Sequence, residues 1–173
     1  MYFFENYSYN IVKYDLINKF HYKELSKIPK LQAIILQFNL KKYDLKLLIV
    51  SLAALELITA QKGFLTKSKT ASVSLKIRKG QPVGCKITLR KTKMFEFFFK
   101  LLNRIKIERK ITNVKVSTLN TFSFKIPSIL IFNELEKNYQ FFKNLKNLNI
   151  TIIMSTKNKE DFFFFLQTFK IKT

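Results

Sequence analysis

The segment 76–90 contains the side chains best suited to binding chemistry in this sequence. It reads Lys-Ile-Arg-Lys-Gly-Gln-Pro-Val-Gly-Cys-Lys-Ile-Thr-Leu-Arg, so that Cys85, Ile87 and Leu89 alternate with Lys86, Thr88 and Arg90. Such alternation predicts a half-buried β-strand, with its apolar residues facing a core. Cations and a hydroxyl on the other face can bind phosphate oxygens, so the sequence predicts a surface for a polyanion.

Catalytic chemistry is not expected. The sequence has one histidine, His21, and one cysteine, Cys85, which leaves no pair of zinc ligands and no intramolecular disulfide. No Ser/His/Asp arrangement and no phosphate-binding loop motif occurs. The acidic residues away from the N-terminal third are expected to be solvated charges: Glu96, Glu108, Glu134, Glu136, Glu160 and Asp161. We therefore predict no enzyme, metal site, cofactor or small-molecule substrate.

The elements that position the basic segment can be read from hydrophobic periodicity. Helices are predicted at about 7–20, 44–59, 93–107 and 158–169. The second helix is expected to bury Leu45, Leu48, Leu52 and Leu55. Extended segments are predicted at about 31–40, 65–69, 73–78, 85–90, 124–132 and 149–156, and 110–122 is predicted to be a flexible loop.

This order of elements predicts an α+β fold with an antiparallel sheet. Helices should pack on one face, leaving an open, basic RNA-binding face, and a basic hairpin loop should protrude. The tip, Lys79–Pro82, would let the backbone approach a ligand closely. Residues predicted on the open face are Gln37, Asn39, Lys76, Lys86, Thr88 and Arg90, with Ser74 and Arg78 continuing the row of Lys76.

Composition restricts the partners. The 173 residues carry 32 Lys and Arg against 11 Asp and Glu, a net charge of +21. So strong a positive charge favours nucleic acid, or alternatively the anionic membrane surface of a peripheral membrane protein. No apolar run approaches the roughly 20 residues of a spanning helix. We predict one domain, with an N-terminal section of about 1–70 and a C-terminal section of about 71–173 that share one sheet.

Several ordered motifs resemble the fifth family of large-subunit ribosomal proteins. Ala60-Gln61-Lys62-Gly63 is similar to the family's Gly-Gln-Lys-Pro, and Asn149-Ile-Thr-Ile to its Asp-Ile-Thr-Ile. The segment 75–90 is similar to Phe-Lys-Ile-Arg-x-Gly-x-Pro-x-Gly-Cys-x-Val-Thr-Leu-Arg, and Met94-Phe-Glu-Phe to a Met-aromatic-Glu-Phe motif. The resemblance covers most of the chain and is strongest at 59–102 and 148–169.

The resemblance implies a structural protein of the central protuberance that binds 5S or large-subunit ribosomal RNA. The residues expected to bind ribosomal RNA are Asn39, Gln61, Lys62, Lys67, Lys86, Thr88 and Arg90. The loop expected to contact P-site tRNA contains Lys76, Arg78, Lys79, Gly80, Gln81 and Pro82. Neighbouring central-protuberance proteins, and a small-subunit head protein across an intersubunit bridge, are the further expected partners.

Three segments depart from the family pattern. Leu40–Tyr43 replaces a Gly-rich turn, Gln81 replaces the aromatic residue of the loop tip, and 111–122 replaces a Gly/Arg-rich segment. The residue usage is typical of an AT-rich genome, and no signal or transit peptide is recognisable at the N-terminus. We therefore expect a protein of the mitochondrial matrix and its ribosome, rather than of a plastid. The alternative function is a basic peripheral membrane protein of an organelle.

Overall fold

The computed structural model of the protein describes residues 8–22, 24–40, 43–108, 112–118, 120–155 and 159–168. A π-helical turn, Ser8–Val12, leads into the first α-helix. The helices are α1 Lys13–Phe20, α2 Leu45–Thr59, α3 Lys91–Glu108, α4 Asn133–Glu136, α5 Tyr139–Phe142 and α6 Lys159–Thr168. The strands are β1 Leu31–Asn39, β2 Phe64–Lys67, β3 Pro82–Leu89, β4 Thr112–Thr118, β5 Thr121–Ser128 and β6 Lys146–Met154. Short 3₁₀ helices span Leu25–Lys27 and Ile129–Ile131.

The six strands form one sheet in the order β2-β3-β1-β6-β5-β4. Their side chains alternate between a buried and a more open face, as the sequence pattern requires. In β6, Leu148, Ile150, Ile152 and Met154 are fully buried, whereas the residues between them are only half-buried. The predicted α+β fold with an antiparallel sheet is confirmed.

Helix α2 shows how local sequence sets the boundaries of an element. Asp44 is its N-cap, and the carboxylate accepts hydrogen bonds from the backbone N–H groups of Lys46 at 3.0 Å and Leu47 at 3.4 Å. The helix ends at Ala60, which has the left-handed φ of 50° common at helix C-termini. The predicted buried stripe is wrong at Leu45, which is 53% exposed. The buried positions are instead Leu48, Ser51, Ala54, Leu55, Ile58 and Thr59.

Two predicted segments differ from the structure. Residues 73–76 form a turn rather than a strand, and only an isolated bridge between Ser72 and Ile77 pairs this region. Lys76 has a left-handed φ of 53°, so it does not lie on the sheet face that was predicted to carry it. The predicted loop at 110–122 contains β4 and the start of β5. Residues 110, 111 and 119 of that prediction lie outside the described part.

The chain forms two compact units. Unit 1 contains Met1–Ile34, Leu89–Phe124 and Thr151–Thr173; unit 2 contains Ile35–Thr88 and Lys125–Ile150. Unit 1 buries the apolar residues of α1 and α3, including Val12, Leu16, Met94, Phe97 and Phe98. Unit 2 contains α2, α4, α5 and the β2–β3 hairpin. The division near residue 70 stays a prediction.

Candidate nucleic-acid interface

The side chains of three adjacent strand segments in unit 2 point away from the core and form what we call the open face. The strand order β2-β3-β1 brings these segments side by side. The open face consists of Gln37 and Asn39 from β1, Phe64 and Thr66 from β2, and Lys86 and Thr88 from β3. Asn39 and Phe64 are exposed, and the other four residues are half-buried.

The register of the β2–β3 hairpin sets which side chains meet on the open face. The strands are antiparallel, with Phe64 opposite Lys86 and Thr66 opposite Gly84. Directly opposed residues of an antiparallel pair project from the same face, with Cβ atoms about 5 Å apart. A cation, a hydroxyl and an aromatic ring are therefore adjacent.

Gly84 allows β1 and β3 to approach each other. The backbone N–H of Leu40 donates to the Val83 carbonyl at 2.9 Å, which ties the end of β1 to the start of β3. A Cβ atom at Gly84 would lie 2.3 Å from the Phe38 carbonyl oxygen and 2.9 Å from Thr66 Oγ1. Since no real Cβ contact is that short, only glycine fits, and the open face depends on it.

The polar side chains of this region are held by hydrogen bonds. Gln37 Nε2 donates to Asn39 Oδ1 at 2.7 Å, which orients the amide of Asn39 at the end of β1. Gln61 Nε2 donates to the Thr88 carbonyl at 3.2 Å, so Gln61 is fastened to β3. Among the predicted RNA-binding residues, Asn39, Gln61, Lys86 and Thr88 thus come together in unit 2, as the sequence suggested.

The predicted phosphate-binding cations occupy different positions. Lys62 and Lys67 are exposed and lie just before β2 and at its end, and Lys86 is half-buried on β3. Arg90 is exposed directly after β3, but belongs to unit 1. In the described residues none of the four has a carboxylate at ion-pair distance. Their charge is therefore available to a polyanion.

The loop 68–81 between β2 and β3 is closed by its own hydrogen bonds. Ser68 N–H donates to the Gln81 carbonyl at 2.9 Å, and Gly80 N–H donates to the Ser68 carbonyl at 3.0 Å. Ser68 Oγ also donates to the Arg78 carbonyl at 2.7 Å. Because these bonds join residues next to the paired strands, 78–81 lie at the base of the loop, and the turn 73–76 lies farther along it.

The residues predicted to contact tRNA have different structural roles in this loop. Lys76, Arg78, Lys79 and Gly80 are exposed, and Gly80 has a φ of 85° that favours glycine. Gln81 is half-buried, and its Oε1 accepts a hydrogen bond from Arg78 N–H at 2.8 Å, so this side chain holds the loop together. Pro82 is the first residue of β3 rather than part of a turn.

Sequence reasoning missed a polar groove beside the predicted site. Its volume is about 410 Å³, and Asn39, Asn144, Lys146 and Asn147 contribute its polar lining. Asn147 has a left-handed φ of 62°, a conformation that asparagine tolerates better than most residues. Clustered asparagines near the start of β6 were the available signal. The groove adds donors and one cation next to Asn39.

Cys85 lies under the open face. It is fully buried, and its Sγ is 3.2 Å from Ser51 Oγ, so α2 packs on the inner side of β3. Burial raises the pKa of the thiol, and the smaller opposing effects of Ser51 and Phe38 do not cancel this. The thiol is a core group, as its alternation with Lys86 predicted.

Comparison with known proteins decides what this arrangement belongs to. The family model for the C-terminus of the ribosomal uL5 proteins matches residues 82–173. The large ribosomal subunit protein uL5m of Reclinomonas americana is 35% identical over 168 residues, which cover 93% of this chain and 92% of that protein. The chain belongs to the ribosomal uL5 family. Large ribosomal subunit proteins uL5 of Geotalea daltonii (33% identical, 84% of each chain) and Borreliella burgdorferi (34% identical, 90% of this chain, 87% of the relative) also match.

Family membership establishes the coarse function. The protein is a non-enzymatic, structural protein of the large ribosomal subunit whose partners are ribosomal RNA and other ribosomal proteins. This assignment replaces the alternative of a peripheral membrane protein. Within the described residues, no helix has the length and hydropathy needed to cross a membrane. In the same residues, His, Cys, Asp and Glu side chains form no cluster of three that could hold a metal ion.

Proposed function

We propose that the open face, with Gln61 and the cations Lys62, Lys67 and Arg90, binds 5S or large-subunit ribosomal RNA in the central protuberance of a mitochondrial ribosome. The observation that carries the proposal is the arrangement of Asn39, Lys86 and Thr88 on one uncovered sheet face. The adjacent amide, ammonium and hydroxyl groups match the acceptors and donors of a sugar-phosphate backbone. The net charge of +21 favours the same partner, and the relative uL5m supports the mitochondrial location.

The proposed RNA contact is tested by a variant that leaves the net charge unchanged. In the pair Asn39→Ala and Thr88→Val, two neutral hydrogen-bonding groups are lost from the open face. Each such bond contributes about 0.5–1.5 kcal/mol, so we expect affinity for ribosomal RNA to fall about 5- to 150-fold. The control pair is Asn138→Ala and Gln140→Ala, which removes two exposed amides from the α4–α5 region of unit 2. Equal affinity of both double variants for the RNA would contradict the assignment of this face.

We further propose that the loop 76–82 contacts P-site tRNA. The exposed cations Lys76, Arg78 and Lys79 support this, because the hydrogen bonds at the base of the loop hold them in a defined conformation. Arg78→Gln with Lys79→Gln should leave assembly intact and speed dissociation of P-site tRNA about tenfold, as expected for the loss of one charge-assisted phosphate contact.

The control for the loop variant removes two exposed lysines elsewhere in unit 2, through Lys137→Gln and Lys143→Gln. It changes the net charge equally and should leave tRNA dissociation unchanged. If the loop variant fails to enter the large subunit, the loop is an RNA anchor and the tRNA proposal is wrong. Central-protuberance proteins and a small-subunit head protein, reached through an intersubunit bridge, complete the proposed partners.

A further inference from the structure

Phe64 is an unusual residue for the position it occupies. It begins β2, and its side chain is 70% exposed on the open face. Burying a phenylalanine is worth about 1.5–3 kcal/mol, and this ring forgoes most of that stabilisation in the isolated protein. Within the described residues the ring contacts no other aromatic ring. Its unused apolar surface is therefore available to a partner.

The surroundings of Phe64 indicate the chemistry of that partner. Lys86 lies directly opposite in the β2–β3 register, on the same face. Lys62 lies just before β2 and Lys67 ends it, and both are exposed. An apolar protein surface would have to desolvate these charges, whereas RNA offers phosphates for the cations and an unpaired base for the ring.

We propose that Phe64 is a stacking platform for an unpaired base of the bound RNA, flanked by lysines that hold the adjacent phosphates. This inference rests on the proposed RNA-binding function of the open face and assigns the ring a separate role within it. A flat ring beside cations on an open sheet is a common way to bind single-stranded RNA, because every base has a π-face. The contact is sequence-tolerant and independent of charge.

The test uses the full chain and two probes. The first is large-subunit ribosomal RNA from the ribosomes of the source cells, and the second is a uridine-rich RNA of about 12 nucleotides with a single central 2-aminopurine. Phe64→Ala should weaken binding of both about 5- to 150-fold, whereas Phe64→Tyr, which keeps the ring, should bind within about twofold of wild type. The matched control is Phe141→Ala, because Phe141 is 71% exposed in the same unit. It should bind like wild type.

Two readouts separate stacking from other roles. The wild-type ring should quench 2-aminopurine fluorescence, and Phe64→Ala should not. The slope of log affinity against log salt should stay the same in Phe64→Ala and become shallower in Lys86→Gln, because only the lysine neutralises a phosphate. Phe64→Leu distinguishes a ring from any apolar contact, so full affinity in that variant would overturn the proposal.

The outcomes also separate this inference from the function on which it rests. If Phe64→Ala binds like wild type while Lys86→Gln binds less tightly, the stacking proposal is wrong and the RNA-binding face stands. If the wild-type protein shows no salt-dependent binding to either RNA, both proposals fail. If Phe64→Ala weakens association only when other ribosomal proteins are present, the ring is covered by a protein and stacking is again wrong. Thermal unfolding of each variant, expected to be unchanged at so exposed a site, verifies the fold.

Discussion

Gly84→Ala is the substitution whose effect can be worked out most fully from the structure. The new methyl group would lie 2.3 Å from the Phe38 carbonyl oxygen, whereas an ordinary contact is at least 3.4 Å. The obstacle is backbone, so β1 and β3 have to separate by about 1 Å at this point. Overpacking of this kind costs about 1–3 kcal/mol, and a rigid neighbour places the cost near 3 kcal/mol.

Thermal unfolding followed by circular dichroism measures this cost. For a chain of this length, about 3 kcal/mol lowers Tm by about 6–12 °C. Ribosomal RNA affinity should fall as well, since the separation displaces Asn39 and Thr66 on the open face. A Tm within about 2 °C of wild type would refute the close-approach argument.

Gly80→Ala is the control for this substitution. Nothing lies within 4 Å of the added methyl group, but the φ of 85° imposes backbone strain of about 1–2 kcal/mol. We therefore expect a smaller loss of stability, with RNA binding by the open face retained. Equal loss of RNA affinity in both variants would show that the strand contact at Gly84 has no special role.

Three other predictions concern groups away from the RNA. Asp44→Ala removes the N-cap of α2 and should cost about 1 kcal/mol in chemical denaturation, whereas Asp44→Asn should cost much less. The Cys85 thiol, buried against Ser51 with a raised pKa, should resist alkylation by iodoacetamide in the native protein and react on unfolding; rapid native labelling would contradict its burial. Burial first, and then Asp161, raise the pKa of Tyr22, so its stabilising contribution is complete below the ordinary tyrosine pKa near 10 and is lost as pH rises above it. The free energy of unfolding of wild type should therefore decline relative to Tyr22→Phe between about pH 10 and 12, and parallel profiles would show that Tyr22 is not the responsible group.

Much of the sheet could be predicted because its strands alternate cleanly. Cys85, Ile87 and Leu89 are buried and Lys86 and Thr88 face outward, as period two requires. The same rule failed at 73–78, where Val73, Leu75 and Ile77 also alternate with polar residues. Only Ile77 is buried there, because the chain reverses and Lys76 adopts a left-handed φ that its residue type does not signal.

Other errors have different physical causes. Helix α2 is apolar on nearly every side, so periodicity could not tell that Leu45 and Ile49 stay exposed. Strand β4 carried a short signal, Val114 and Val116 between polar residues, which was too brief to outweigh the interpretation as a loop. The role of Gln81 depends on a hydrogen bond within the folded loop, and spacing alone does not reveal such a bond. In the site, residue types were predictable, but the pairing of Phe64 with Lys86 required the register.

Site-specific photocrosslinking in assembled ribosomes tests the central claim most directly. A photoreactive phenylalanine analogue would replace Thr88 on the open face, and a control protein would carry it at Gln140, which is exposed in unit 2 away from that face. The account predicts that the analogue at position 88 crosslinks to ribosomal RNA of the large subunit, and that the one at position 140 does so far less. Crosslinks from position 88 to protein alone, in ribosomes that have incorporated the chain, would contradict it.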